Sequence, residues 1–238
     1  MINFKEFKRF FIFTSIGALI VSALVAVVAV LLGEFNDIMW RVFETLFMVI
    51  LHSFVALAFI WDDSRNNTFT KLSFFINTVF VLVVMSFVTS LFGIWQLLDG
   101  EIVWHCYQTF FLVAFASLHG DMLAKATKRE KYIDYVIFAN YIFIVLVVMI
   151  FLPIIFTDDA LRVLGAFYFR VLAATGIIDG TLSILTIIFY KLYMHRHPEA
   201  VRPGDAVWSG VGIWLWIIMI YIAMQFVIPI FFLSAWWR

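Results

Sequence analysis

The sixth apolar segment of the chain carries a carboxylate, Asp179, in the stretch Thr175-Gly176-Ile177-Ile178-Asp179-Gly180-Thr181-Leu182-Ser183. Placing an ionised side chain near a bilayer midplane costs about 3 kcal/mol on insertion scales, so such a group is normally paired, hydrated or functional. Thr175, Asp179, Ser183 and Thr186 recur at helical spacing and share one face. The second segment shows a similar stripe: Arg41, Glu44, Thr45, Met48 and His52 fall within about 100° of one another. In the fourth the corresponding face is His105, Gln108, Thr109, Leu112, Ala116 and His119. Histidines and a carboxylate can relay protons or line a hydrated cavity. Two histidines and one carboxylate, His52, His119 and Asp179, could also hold a divalent metal.

Each of these groups also has an ordinary structural use. Arg41 and Glu44, three residues apart, suit an intrahelical ion pair. Serines and threonines inside spans commonly bond the carbonyl four residues back. His105 suits an interfacial belt, and His195 and His197 fall in a loop. His52, His119 and Asp179 are harder to place structurally. By helical rise, Asp179 lies about 5 Å outward of the His52 level, with His119 about 9 Å inward of Asp179. That spread fits a relay or cavity better than one metal centre. The expected partner of Asp179 is His52, then His119; Arg170, nine residues earlier, falls on the opposite face. Gly176 and Gly180 bracket Asp179 as a small-residue pair that lets another backbone approach closely. The candidate ligand or ion site is therefore Asp179, His52, His119, Thr175, Ser183, Glu44 and Arg41.

The elements that must position these groups are transmembrane helices. The chain has 238 residues, 65% hydrophobic and 13% charged, with mean hydropathy +1.04; a soluble domain is nearer half apolar and a quarter charged. Apolar segments run over about 10–32, 38–61, 72–98, 101–124, 133–156, 161–193 and 207–236. Short connections favour antiparallel neighbours. The expected fold is all-α and polytopic, a single integral-membrane domain (1–238) of seven spans. The first apolar run is too long for a signal peptide and is expected to stay as a helix. Pro153 and Pro229 should bend the fifth and seventh helices.

Basic residues set the orientation. One side carries Lys5, Lys8, Arg9, Arg65, Lys71, Lys125, Lys128, Arg129, Lys131, Lys191, Arg196 and Arg202, twelve against Arg41, Arg162, Arg170 and Arg238 on the other. The N-terminus is thus expected in the cytoplasm and the C-terminus outside, in the plasma membrane. Trp40, Trp95, Trp104, Trp236 and Trp237 fall at outer ends and Trp61 and Trp208 at inner ends, as interfacial belts require.

A shift of 64 residues lays the first two segments on the next two without a gap: Phe10, Phe11, Ile12, Thr14 and Ser22 meet Phe74, Phe75, Ile76, Thr78 and Ser86. Trp40, Thr45, Phe47, Val49 and Ser53 meet Trp104, Thr109, Phe111, Val113 and Ser117. Chance in so biased a composition gives roughly three or four identities. A shift of 130 brings Thr45 and Ser53 onto Thr175 and Ser183. The expectation is hairpin repeats over about 10–61, 72–124 and 133–193 plus a seventh helix, with the second, fourth and sixth helices lining one interior.

Balanced charge, sixteen basic against sixteen acidic residues, argues against a nucleic-acid partner. Cys106 stands alone, which excludes an internal disulfide and a cysteine metal cluster. Retinal is not expected, because 207–236 holds no lysine for a Schiff base; nor does that segment carry the histidine pair of ceramidase-type membrane hydrolases. No protease motif or phosphate-binding glycine loop appears. The sequence therefore favours a non-catalytic membrane subunit or small-ligand-binding membrane protein, with the bilayer and a protein partner or second copy as its neighbours. A small secondary transporter or channel built around Asp179 is the alternative, and an intramembrane metal enzyme the third reading.

Overall fold

A computed structural model of the chain describes residues 4–32, 36–61 and 74–198, and every regular element among them is helical. The elements are α1 (Phe4–Leu32), α2 (Asp37–Trp61), α3 (Phe74–Ile94), α4 (Gly100–Ala124), α5 (Lys131–Phe156) and α6 (Ala160–Arg196). The apolar segment 207–236, with Trp208, Pro229, Trp236, Trp237 and Arg238, lies outside the described residues, as do Arg65, Lys71 and Arg202.

Five helices, all but α4, are long and apolar enough to cross a membrane. The sequence reading expects six over the same stretch. The difference is the polar load of α4, which carries Glu101, His105, Gln108, His119 and Asp121. Apolar side chains dominate the surface: Phe167 is 78% exposed and Leu161 74%. In water such a surface would be strongly unfavourable, whereas hydrocarbon satisfies it. Among the described residues the protein is all-helical, with helices suited to a membrane.

Contacts divide the chain into two compact units, Met1–Asp121 and Met122–Arg238. In the first, α2 packs against both α1 and α3. Small residues are buried on these helices, Ser15 and Ala18 on α1 and Ser53 and Ala56 on α2, and small side chains let helix backbones come close in lipid. Phe11 of α1 meets Phe80 of α3 edge-on at 6.4 Å.

Expected to run to about residue 98, α3 stops at Ile94. Gln96 takes the left-handed conformation, φ 56°, and the Leu97 amide turns back to the Phe92 carbonyl at 2.8 Å. Leu97 and Leu98 made the turn read as membrane helix by hydropathy. The tight reversal brings α4 onto α3. A Cβ built on Gly93 would lie 3.0 Å from Val103, and one on Gly120 would lie 2.5 Å from the Phe75 ring. Both glycines mark a close approach that a larger side chain would obstruct.

The second unit is built on the α5–α6 pair. Ile133, Ile137, Asn140 and Ile144 form the buried stripe of α5 at one-turn intervals, matched on α6 by buried Thr175, Thr186 and Tyr190. Tyr132 packs against Phe189 at 5.4 Å near one end. Toward the other end the Tyr168 hydroxyl donates to the Ile150 carbonyl at 2.6 Å. That carbonyl lies three residues before Pro153, whose missing N–H loosens the local helix ladder. A 37-residue helix exceeds one bilayer crossing, and α6 is interrupted at Gly165, which is non-helical at φ 74°, ψ 163°. Only glycine reaches that conformation cheaply.

Candidate functional site

Asp179 sits on α6 at intermediate exposure, facing Asn140, which is fully buried on α5. The Asn140 amide has one orientation that satisfies both of its ends. Its nitrogen then donates to Asp179 Oδ1 at 2.6 Å and to the Asp179 carbonyl at 3.2 Å, and its oxygen accepts from Ser183 Oγ at 2.8 Å. The opposite orientation would press the amide oxygen against the carboxylate. Ser183 Oγ also lies 2.9 Å from the Asp179 carbonyl, which competes for the single hydroxyl proton. Asn140, Asp179 and Ser183 thus form one interhelical hydrogen-bonded cluster.

Neighbouring hydroxyls on the same face satisfy themselves. Thr175 donates to the Val171 carbonyl at 2.7 Å and Thr186 to the Leu182 carbonyl at 2.9 Å. Both are buried. Among the described residues, a Cβ built on Gly176 or Gly180 would meet nothing within 4 Å.

His52 lies in the first unit, where it bridges α2 and α3. Its Nδ1 is 2.9 Å from the Met48 carbonyl. A carbonyl only accepts, so Nδ1 donates to it, and Nε2 shares a hydrogen bond with Ser86 Oγ at 3.2 Å. One turn further along α3, Ser90 donates to the Ser86 carbonyl at 2.7 Å, which leaves its oxygen to accept from the Tyr107 hydroxyl of α4. Thr45 donates to the Arg41 carbonyl at 2.7 Å and accepts from the Trp95 indole at 3.2 Å. The polar face of α2 is therefore answered by α3, whose Ser86 the repeat alignment matched to Ser22 without giving it a role.

Thr109, the repeat equivalent of Thr45, bonds the His105 carbonyl at 2.9 Å. His119 is partly buried on α4, between buried Ser117 and buried Asp121. Asp121 was not singled out from the sequence; hydropathy assigned it to a helix end.

Arg41 and Glu44 do not form the expected ion pair. They line, with Asp37, Trp40 and Gln96, an open depression of about 420 Å³ between the start of α2 and the α3–α4 turn. Trp40, at 57% exposure, borders it as an interfacial indole would.

The structure thus brings Asp179 and Ser183 together, sets Thr175 one turn away, and seats His52 among α3 side chains. Asn140, a partner of Asp179 on α5, was missed from the sequence. Its signal was present: a lone amide on the Ile133, Ile137, Ile144 stripe of an otherwise apolar helix. Within either unit, no three His, Cys, Asp or Glu side chains gather as a metal ion would require, among the described residues. Compared with known proteins, the chain matches no family, no curated protein and no solved structure.

Proposed function

We propose that this is a non-catalytic integral membrane subunit or small-ligand-binding protein whose intramembrane polar groups join helices. The observation that carries the reading is the Asn140–Asp179–Ser183 cluster, in which a carboxylate oxygen meets a fully buried amide on the adjacent helix. A carboxylate bound in this way is a clamp first. In the proposed arrangement seven spans cross the plasma membrane, with α4 and the segment 207–236 completing the set and hairpin repeats as its basis. The N-terminus is cytoplasmic and the C-terminus external. The gathering of basic residues supports this: Arg129, in the Lys125–Lys131 turn, lies 5.7 Å from the Tyr190 ring near the inner end of α6, beside Lys191 and Arg196.

The second reading, a transporter or channel, draws on one observation: among the described residues Asp179 keeps part of its surface exposed, between Gly176 and Gly180. Proteoliposomes separate the two. Asp179→Asn keeps size and hydrogen bonding but removes the exchangeable proton. The clamp reading expects a stable variant, copurification of the same partners, and no Asp179-dependent proton or cation flux in either protein. Flux in the native protein that disappears in Asp179→Asn would overturn it in favour of transport.

A further inference from the structure

We infer that the depression lined by Asp37, Trp40, Arg41 and Glu44 at the start of α2 seats a phospholipid headgroup, one that joins a phosphate to a primary ammonium. The site lies within the first unit, Met1–Asp121, and is separate from the Asp179 cluster, so either reading can fail alone.

Charge comes first. Arg41 and Glu44 are three residues apart on one helix, a spacing that ordinarily joins opposite charges. Among the described residues neither side chain is in an ion pair, and both line the depression with Asp37. Arg41 is half-buried, and a cation withdrawn from water calls for an anion. A guanidinium grips phosphate through paired N–H donors. The two carboxylates, in turn, accept hydrogen bonds from an ammonium. One cation facing two anions disfavours a ligand that is only anionic and admits one carrying both signs.

The walls are held in place without a ligand. The Trp95 indole donates to Thr45 Oγ at 3.2 Å, and Thr45 donates to the Arg41 carbonyl. The end of α3 is thereby fastened to α2 one turn from Arg41. Gln96, left-handed at φ 56°, reverses the chain at the rim of the depression. Behind the same wall α4 closes in, since a Cβ on Gly93 would come 3.0 Å from Val103.

Depth and shape select the lipid. Arg41 and Glu44 follow the first residue of α2, Asp37, by about 6 and 10 Å of helical rise. Trp40, 57% exposed, stands beside them as indoles do at headgroup level. A volume of about 420 Å³ falls inside the roughly 300–1,000 Å³ range of small-molecule sites. Quaternary ammonium groups are recognised by cages of aromatic faces. Here Trp40 is the one ring among the lining residues, and two carboxylates suit the N–H donors of a primary ammonium better.

Thermal melting of the purified full chain in detergent, with added lipids of identical acyl chains, tests the assignment. Phosphatidylethanolamine should raise the melting temperature by several degrees more than phosphatidylcholine or phosphatidylglycerol. In Arg41→Gln the three lipids should act alike. In Glu44→Gln the advantage over phosphatidylglycerol should shrink, because less negative charge meets the anionic headgroup. Each variant is compared with itself without lipid, so a change in its own stability leaves the ranking readable. An equal rise with all three lipids in the native protein would overturn the inference. So would a phosphatidylethanolamine preference that survives Arg41→Gln. Free O-phosphoethanolamine should give no comparable rise; a rise from it without one from the lipid would overturn the lipid assignment.

Discussion

The two units solve the same problem, polar side chains inside apolar helices, with different chemistry. Around α2 and α3 the hydroxyls and the His52 ring satisfy themselves before reaching a neighbour: Thr45 and Ser90 each bond a carbonyl on their own helix, and His52 does so through Nδ1. Only the second bond of each crosses between helices. In the α5–α6 pair the crossing bond involves a carboxylate, and its partner Asn140 has no exposure to fall back on. Self-satisfied groups add adhesion at small risk. A buried amide set on a carboxylate makes one helix depend on the other, because removing either member strands a polar group in hydrocarbon.

The largest effect should therefore follow loss of one cluster member. Asn140→Leu should destabilise the detergent-solubilised protein by about 1–3 kcal/mol, the cost of a stranded polar partner, read as a fall in melting temperature. A melt unchanged from the native protein would remove the contrast between the units. Next comes Gly120→Leu. The Phe75 ring stands 2.5 Å from the added Cβ, so overpacking of about 1–3 kcal/mol should separate the start of α3 from the end of α4. Cysteine accessibility at Phe75 would report it. In the α2–α3 seam, Ser86→Ala should cost less, about 0.6 kcal/mol, the typical worth of one interhelical bond in a membrane bundle. A loss equal to that of Asn140→Leu would mean that the two regions do not differ. The smallest change should be Arg162→Ala. Its bridge to Asp159 spans 3.3 Å with both side chains largely exposed, and such pairs contribute almost nothing measurable.

The helices themselves were legible in the sequence. The expected segment 133–156 is α5 to within two residues, and 38–61 is α2 to within one, because a span announces itself by length and apolarity. The misplaced end of α3 came from Leu97 and Leu98, apolar residues in a left-handed turn that hydropathy cannot distinguish from helix. The site was legible in half. Asp179 declared itself by its cost in lipid, and Ser183 by its spacing. Asn140 did not, because its meaning depends on the register between α5 and α6, which no single-helix periodicity contains. Ser86 was hidden for the same reason: a serine in an apolar helix says nothing until its neighbour is known to be His52. The even-numbered stripes, read alone, directed attention away from the odd-numbered helices that answer them.

The account's central claim is that Asn140 and Asp179 act as one interhelical unit, and a double-mutant cycle measures it. Asn140→Leu and Asp179→Leu should each lower stability, and the doubly substituted protein should recover much of the loss, since replacing both partners with apolar groups leaves neither stranded. A coupling of about 1–2 kcal/mol is the predicted result. Losses that simply add would contradict it and would mean that the two side chains lie near each other without holding α5 to α6.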